Sequence, residues 1–473
     1  MHASTIGFHE LRINGVILGG QREKLFEPGV AVYPYRALFT SFDITALLTP
    51  GQPNVFGALL GNGPSAICGT NRSSPCSDTA QTLAGTPKCA ALTTGGDAAA
   101  AGGCKAGSSN GRAFRAIIVL LHSNGTASHL ATAADGSWRT AVSPMVYDDM
   151  YAGERWDARR AETLSGFWKP HYAVSATVPA AETVTTRLGT QGAVEGGGVN
   201  GSATMTSSVG PPMRVTKRYA PLTLDAAGNG LWTFDFGTTL TGVAELAVSG
   251  PAGALVKMDF AVMLLNGLAA VQFPPQTSVE YILSGNGSPE VYQQRFCWFN
   301  FRYITLNASS LGPNWTPSLA TVTAYRVGSD TTGSQYAKRE HIGNEADDEP
   351  DSGYASWYSS NDVLNRYHQL SVRTQLMNMM SIPMDTPDRE RHGWTGDSQL
   401  QLETGLLNLD TVGFARNWLM LLRDQMDYSG WVTDITPNPS GGNNGFGTGS
   451  GPPDPAWYVC VCLSLCLSSS LGA

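Results

Sequence analysis

Charge is scarce in this chain: only 14% of its 473 residues are Asp, Glu, Lys or Arg, and no basic run of note occurs. With a formal net charge of -8, that scarcity argues against nucleic acid and against an anionic membrane surface as partner, since both attract clustered Lys and Arg. An uncharged or weakly charged ligand fits better. Also missing is any apolar stretch of roughly 18 residues or more, the length a membrane-spanning helix needs. The opening residues Met1-His2-Ala3-Ser4 lack the basic segment and apolar run of a signal peptide. No residue pattern calls for a nucleotide, flavin or haem, and no ligand spacing supports a metal ion. No cofactor is expected.

The eight cysteines are unevenly placed: Cys68, Cys76, Cys89 and Cys104 fall in a Gly/Ala/Ser/Thr-rich stretch spanning 62–112. An even number in an otherwise patternless insertion suggests local disulfides and an oxidising compartment, with the pairing left open. Sequons at Asn71, Asn124, Asn200, Asn286, Asn307 and Asn314 are compatible with secretion. A cytosolic chain with idle cysteines is the alternative, and localisation stays unassigned.

What is present is apolar residues at 42%, with 54 glycines and 27 prolines, enough for sizeable cores joined by many turns. The length favours two to four domains. Residues 1–190 read as a β-sandwich carrying the 62–112 insertion. Leu11 and Ile13, then Val16 and Leu18, flank Asn14-Gly15, a two-residue hairpin signal whose turn needs positive φ. A Gly/Pro-rich linker is expected over 191–213 and a second β-sandwich over 214–328, where Trp232, Phe234 and Phe236 alternate with Thr233 and Asp235. Near 330 the pattern turns helical. Ser359-Ser360-Asn361-Asp362 supplies capping residues, and Val363, Leu364, Tyr367, Leu370, Thr374 and Met377 recur at helical spacing. A second helical run is expected over about 396–427, with Leu402, Leu406, Leu409, Trp418, Leu419 and Leu422 among its apolar positions.

Between these runs lies Asp385-Thr386-Pro387-Asp388-Arg389-Glu390-Arg391-His392-Gly393-Trp394-Thr395-Gly396-Asp397. Carboxylic acids whose pKa is raised by burial or like charge can protonate a leaving oxygen, and glycoside hydrolysis uses carboxylates in pairs. An indole face suits the C–H side of a sugar ring, and Asp and Arg can hold adjacent hydroxyls. Taken as an arbitrary charged loop, a salt-bridge network capping two helices is the plainer reading. Asp397 is equally readable as a first-turn acid stabilised by the helix N-terminus, and His392 is given no role.

The loop resembles the signature of glycoside hydrolase family 78, the alpha-L-rhamnosidases. The matching positions are Asp385, Pro387, Arg389, Glu390, Arg391, Gly393, Trp394, Gly396 and Asp397, with Thr386 in place of the usual Cys. Leu11 to Gly15, Tyr151 to Arg159, Phe234 to Gly237, Gly250 to Gly253 and Phe301-Arg302-Tyr303 are similar to the family's two β modules. The resemblance implies an inverting mechanism on an (α/α)6 barrel, of which 329–457 would be the first half. By motif position, Glu390 would be the general acid, Asp385, Arg389 and Asp397 would hold rhamnose hydroxyls, and Trp394 would line the subsite. Trp457, in a segment similar to the family's Pro-Ala-Trp-Gly-Asp, would be a second stacking residue. The family's general base lies later in the barrel, and the atypical tail 458–473 suggests a chain shortened there. The expected partner is a rhamnose-containing carbohydrate. Rival readings are a non-catalytic carbohydrate-binding protein, an inactive fragment, and a different (α/α)6 glycosidase.

Overall fold

A computed structural model describes residues 1–20, 24–32, 36–63, 113–133, 137–139, 143–163, 204–270, 277–331, 357–426 and 432–437. The Cys-bearing insertion beyond residue 63, the Gly-rich stretch around 192–201, Trp457 and the tail 458–473 lie outside them. Three sheets and three sizeable helices carry the described architecture.

The N-terminal region is antiparallel β. Phe8–Ile13 pairs with Val16–Ile17 and Phe56–Gly61. Its hairpin turns where expected, with Asn14 at φ 51° and Gly15 at φ 86°, the left-handed pair that a tight hairpin between right-twisted strands requires. A five-stranded sheet runs in the order Thr204–Ser207, Arg36–Ser41, His2–Ile6, Ala113–Leu121, Ala127–Ala131. Its first member comes from the stretch expected as linker and pairs in parallel with Arg36–Ser41. Leu11, Ile13, Leu18, Ile44 and Ile118 form the core here.

The largest sheet centres on Leu231–Val248. At Gly237 (φ 73°) its register shifts: residues before the break pair with 303–307, those after it with Phe299–Phe301. Beyond that, Gly242–Leu246 also pairs with Val322–Arg326. Phe234, Phe236, Phe260, Phe299 and Phe301 bury on this sheet, each contributing roughly 1.5–3 kcal/mol by leaving water. The partly buried Asp235 is held by the Arg302 guanidinium through paired bonds of 2.8 Å and 2.8 Å. The sheet also recruits an earlier segment. Gly153–Asp157 runs parallel to Ser278–Ile282, and Met145–Asp149 pairs outside it. Residues read from sequence as the end of the first module are thus hydrogen-bonded into the second.

Helix α1 is short (Ala158–Thr163), followed by α2 (Asp362–Met377), α3 (Thr395–Asn408) and α4 (Val412–Gln425). Asn361 caps α2, its Oδ1 accepting from Val363 N at 2.9 Å. The helix is where it was expected, but the apolar face is not. Val363 (73% exposed), Leu364, Tyr367 (71%) and Leu370 face outward among the described residues, while Asn365, Val372, Gln375 and Leu376 are buried. The run expected over 396–427 is two helices, broken at Leu409–Thr411 where Asp410 N donates to Thr331 O at 2.8 Å. Leu402, Leu409, Phe414, Trp418 and Leu422 share one core with Phe8, Phe26, Trp298 and Met379, so helices and both β regions pack as one continuous interior. A buried pair also joins them: Arg36 donates to both carboxylate oxygens of Asp424 in α4. No helix of the described residues is long and apolar enough to cross a membrane.

Candidate active site

The charged loop leaves the core after the two short strands Met379–Met380 and Ile382–Pro383, and ends in α3. Its two ends are tied to each other. Asp385 N donates to His392 O at 3.0 Å, and His392 N returns a bond of 2.9 Å to Asp385 Oδ1. Between them, Thr386 organises the turn. Its carbonyl accepts from Arg391 N at 3.2 Å, and its hydroxyl accepts from Glu390 N and donates to Asp385 Oδ2, both at 3.3 Å.

The far end is clamped by residues 433–436. Trp394 bridges Ile435, Thr395 N and Oγ1 both donate to Asp434 O, and Thr436 N donates to Gly393 O at 2.9 Å. Gly393 is required by this closeness, because a Cβ there would lie 2.1 Å from Thr436 O and 2.5 Å from the Trp418 ring. The clamp leaves Trp394 at the N-cap of α3, half-buried, with its Nε1 donating to Glu390 Oε2 at 2.9 Å. Ser398 closes the first helical turn by donating to Trp394 O.

Three carboxylates therefore converge. Asp385 is pushed up to about 6, mainly by burial, with the Glu390 and Asp397 carboxylates adding to the rise and the N–H groups of His392 and Thr386 opposing it. Asp397 sits half-buried in the first turn of α3. Of the residues singled out by sequence, Asp385, Glu390, Trp394 and Asp397 gather here; Arg389 stands on the exposed side of the loop, and Trp457 lies outside the described residues. A carboxyl held by an indole N–H, beside a second carboxyl whose pKa is raised to about 6, can exchange protons with a bound hydroxylated ligand.

Sequence reasoning missed Thr386, Gly393 and Arg391. Arg391 matched the signature but was given no task. In the structure it is 3% exposed and donates to the carbonyls of Met150 (2.7 Å) and Trp298 (2.8 Å), distant in sequence. Tyr151, the neighbour of Met150, meets the His392 ring edge-on at 6.4 Å. Nothing local in the sequence signals these contacts.

A sheet-rich chain leading into clamped helices and a carboxylate-bearing loop has the layout of a multidomain glycosidase. Three family models match it in chain order: the alpha-L-rhamnosidase N-terminal domain over 1–216, the bacterial alpha-L-rhamnosidase concanavalin-like domain over 225–326, and the bacterial alpha-L-rhamnosidase 6 hairpin glycosidase domain over 353–465. The chain belongs to this alpha-L-rhamnosidase family, glycoside hydrolase family 78. It is similar to an alpha-L-rhamnosidase of Formosa agariphila, 25% identical over 89% of this chain and 37% of the relative. An alpha-L-rhamnosidase of Streptomyces avermitilis is 25% identical over 92% of this chain and 35% of the relative. Among solved structures, the alpha-L-rhamnosidase of Dictyoglumus thermophilum aligns with a TM-score of 0.72 at 23% identity, over 97% of this chain and 42% of that one. The Streptomyces avermitilis alpha-L-rhamnosidase complexed with L-rhamnose aligns with a TM-score of 0.70 at 24% identity, over 92% and 35%. These likenesses establish a shared fold. The chain spans roughly two fifths or less of the length of the curated relatives it matches.

Proposed function

We propose that the protein is a glycoside hydrolase that removes terminal alpha-L-rhamnose from glycosides or polysaccharides with inversion of configuration. Glu390 is the general acid that protonates the departing glycosidic oxygen. The observation that carries this reading is the Trp394 Nε1 bond to Glu390 Oε2 at 2.9 Å, which holds the carboxylate in a fixed orientation beside the indole ring. Asp385, Arg389 and Asp397 hold the sugar hydroxyls, and Trp394 lines the subsite with its ring; Trp457 is a second stacking residue. Burial raises the pKa of the Asp385 carboxyl to about 6, with the neighbouring Glu390 and Asp397 carboxylates adding to the rise. Helices α2 to α4 belong to the first part of an (α/α)6 barrel.

Inversion also needs a second carboxylate, roughly 6.5–9.5 Å from the acid, to activate water. By the family's pattern that base comes from a later part of the barrel. The direct test is release of para-nitrophenol from para-nitrophenyl alpha-L-rhamnoside, with the anomer first formed read by NMR. Initial release of the inverted sugar supports the reading, and initial release of the retained sugar contradicts it.

A further inference from the structure

Arg391 follows Glu390 directly and is more deeply buried than any other charged residue of the loop. Every hydrogen-bond acceptor of its guanidinium among the described residues is a main-chain carbonyl. Nε donates to Pro387 O within the loop (3.2 Å), and Nη1 donates to Met150 O (2.7 Å) and Trp298 O (2.8 Å). Those carbonyls come from two separate places in the β framework: the turn after Met145–Asp149, and the lead-in to Phe299–Asn307. The cation also lies over the Tyr151 and Phe299 rings, at 5.6 Å and 5.4 Å to the centroids. Asp149 shapes the turn underneath by accepting from Tyr151 N (2.7 Å) and Ala152 N (2.8 Å).

A buried charge bonded only to carbonyls is a poor choice for filling space, since Met or Leu would pack there without desolvating a cation. It is a good choice for holding three chain segments at fixed distance. Arg391 itself adopts a left-handed backbone, φ 53°. This is a conformation most side chains avoid. The reversal sends Arg391 down into the β framework while Glu390 stays with Trp394 in the loop above.

We propose that Arg391 is a positioning residue: it bolts the loop to the β framework and so fixes the place of the carboxyl of Glu390. This rests on the proposed role of Glu390 as proton donor. The β regions are on this account part of the catalytic device, because they set where the acid stands. Arg391→Lys retains a charge that can reach the Met150 and Trp298 carbonyls but gives up the separate Nε bond to Pro387. Arg391→Met removes all three.

The test uses the full chain and two aryl alpha-L-rhamnosides, one with a 2,4-dinitrophenyl and one with a para-methoxyphenyl leaving group. Dinitrophenolate leaves with little protonic help; methoxyphenolate needs the acid. A displaced acid lowers kcat on the para-methoxyphenyl substrate by about 10- to 100-fold. On the dinitrophenyl substrate the loss stays within about threefold, and KM changes by less than about twofold on either. Equal losses on both substrates, or none, overturn the proposal. Hydrogen exchange of the amides at 391–396 is followed in parallel. Arg391→Lys should speed exchange there while the strands of the large sheet keep theirs, and unchanged exchange at 391–396 overturns the anchoring. Absence of turnover by the unsubstituted chain would refute the hydrolase reading of this chain and leave the anchoring to be decided by exchange alone.

Discussion

Gly393→Ala puts a single methyl group at the tightest point of the site. That methyl would sit 2.1 Å from Thr436 O and 2.5 Å from the Trp418 ring, with another ring carbon at 2.8 Å. Ordinary carbon contacts begin near 3.5 Å, so both the 433–436 segment and the Trp418 ring must retreat by about 1 Å. Trp418 is fully buried in the shared core, and 433–436 is bound to the loop through Gly393, Trp394 and Thr395. Overpacking of a rigid site costs about 1–3 kcal/mol, and losing the Thr436–Gly393 bond adds about 1 kcal/mol. A total of about 2–4 kcal/mol follows. Among the described residues nearly all helix lies in 357–426, so ellipticity at 222 nm during urea unfolding reports the part affected. With a slope of about 2 kcal/mol per M, the midpoint should fall by roughly 1 M or more. A midpoint within about 0.2 M of the parent would refute the claim that this contact is rigid.

Three further predictions concern stability. Arg36→Met leaves buried Asp424 with only the exposed Arg423 guanidinium at 3.9 Å and should destabilise by up to about 3–5 kcal/mol, whereas Arg36→Met with Asp424→Leu should recover most of it, as a double-mutant cycle by urea unfolding would show. Asp385 has a folded pKa raised from 3.8 to about 6, so the stability it contributes is full below pH 4 and lost as pH rises through 6. Asp385→Asn should therefore gain stability on its parent across that window, by about 1–2 kcal/mol at pH 7 after allowance for solvent screening, while losing activity. His9 is buried and pushed down to about 3, so its neutral form is favoured by folding. The chain should lose stability as pH falls from 6.5 towards 3, by at most about 5 kcal/mol, and His9→Gln should flatten that slope in unfolding curves taken at several pH values.

The parts legible in sequence are those set by local chemistry. Asn14-Gly15 specified its hairpin because few other residues accept two positive φ values. Phe234 and Phe236 marked a buried strand through period-two alternation, and Asn361 marked the start of α2. The loop's acids and Trp394 stood out by their density and their match to a long signature. Tertiary contacts set the rest. On α2 the apolar residues Val363, Tyr367 and Leu370 are exposed while polar Asn365 and Gln375 turn inward. Periodicity announces a helix, but it does not say which face meets the sheet. The break between α3 and α4 carries no Pro or Gly; it depends on Thr331 accepting from Asp410 N. The parallel pairing of Gly153–Asp157 with Ser278–Ile282 joins segments far apart in the chain. Arg391 was invisible as an anchor because charged side chains are nearly always solvated, and its acceptors are backbone carbonyls with no side-chain signature.

On the proposed mechanism, Glu390 delivers the proton to the leaving oxygen of an alpha-L-rhamnoside. The most direct measurement is hydrolysis of para-nitrophenyl alpha-L-rhamnoside by this chain beside its Glu390→Gln variant, which keeps the side-chain shape and removes the acid. Where the parent turns over, kcat for the variant is expected to fall by about 10²- to 10⁴-fold at unchanged fold, and turnover by the variant at the parental rate would contradict the role of Glu390. No turnover by either traces to the second carboxylate, which the family's pattern places later in the barrel, and the same pair is then compared in a chain that carries it.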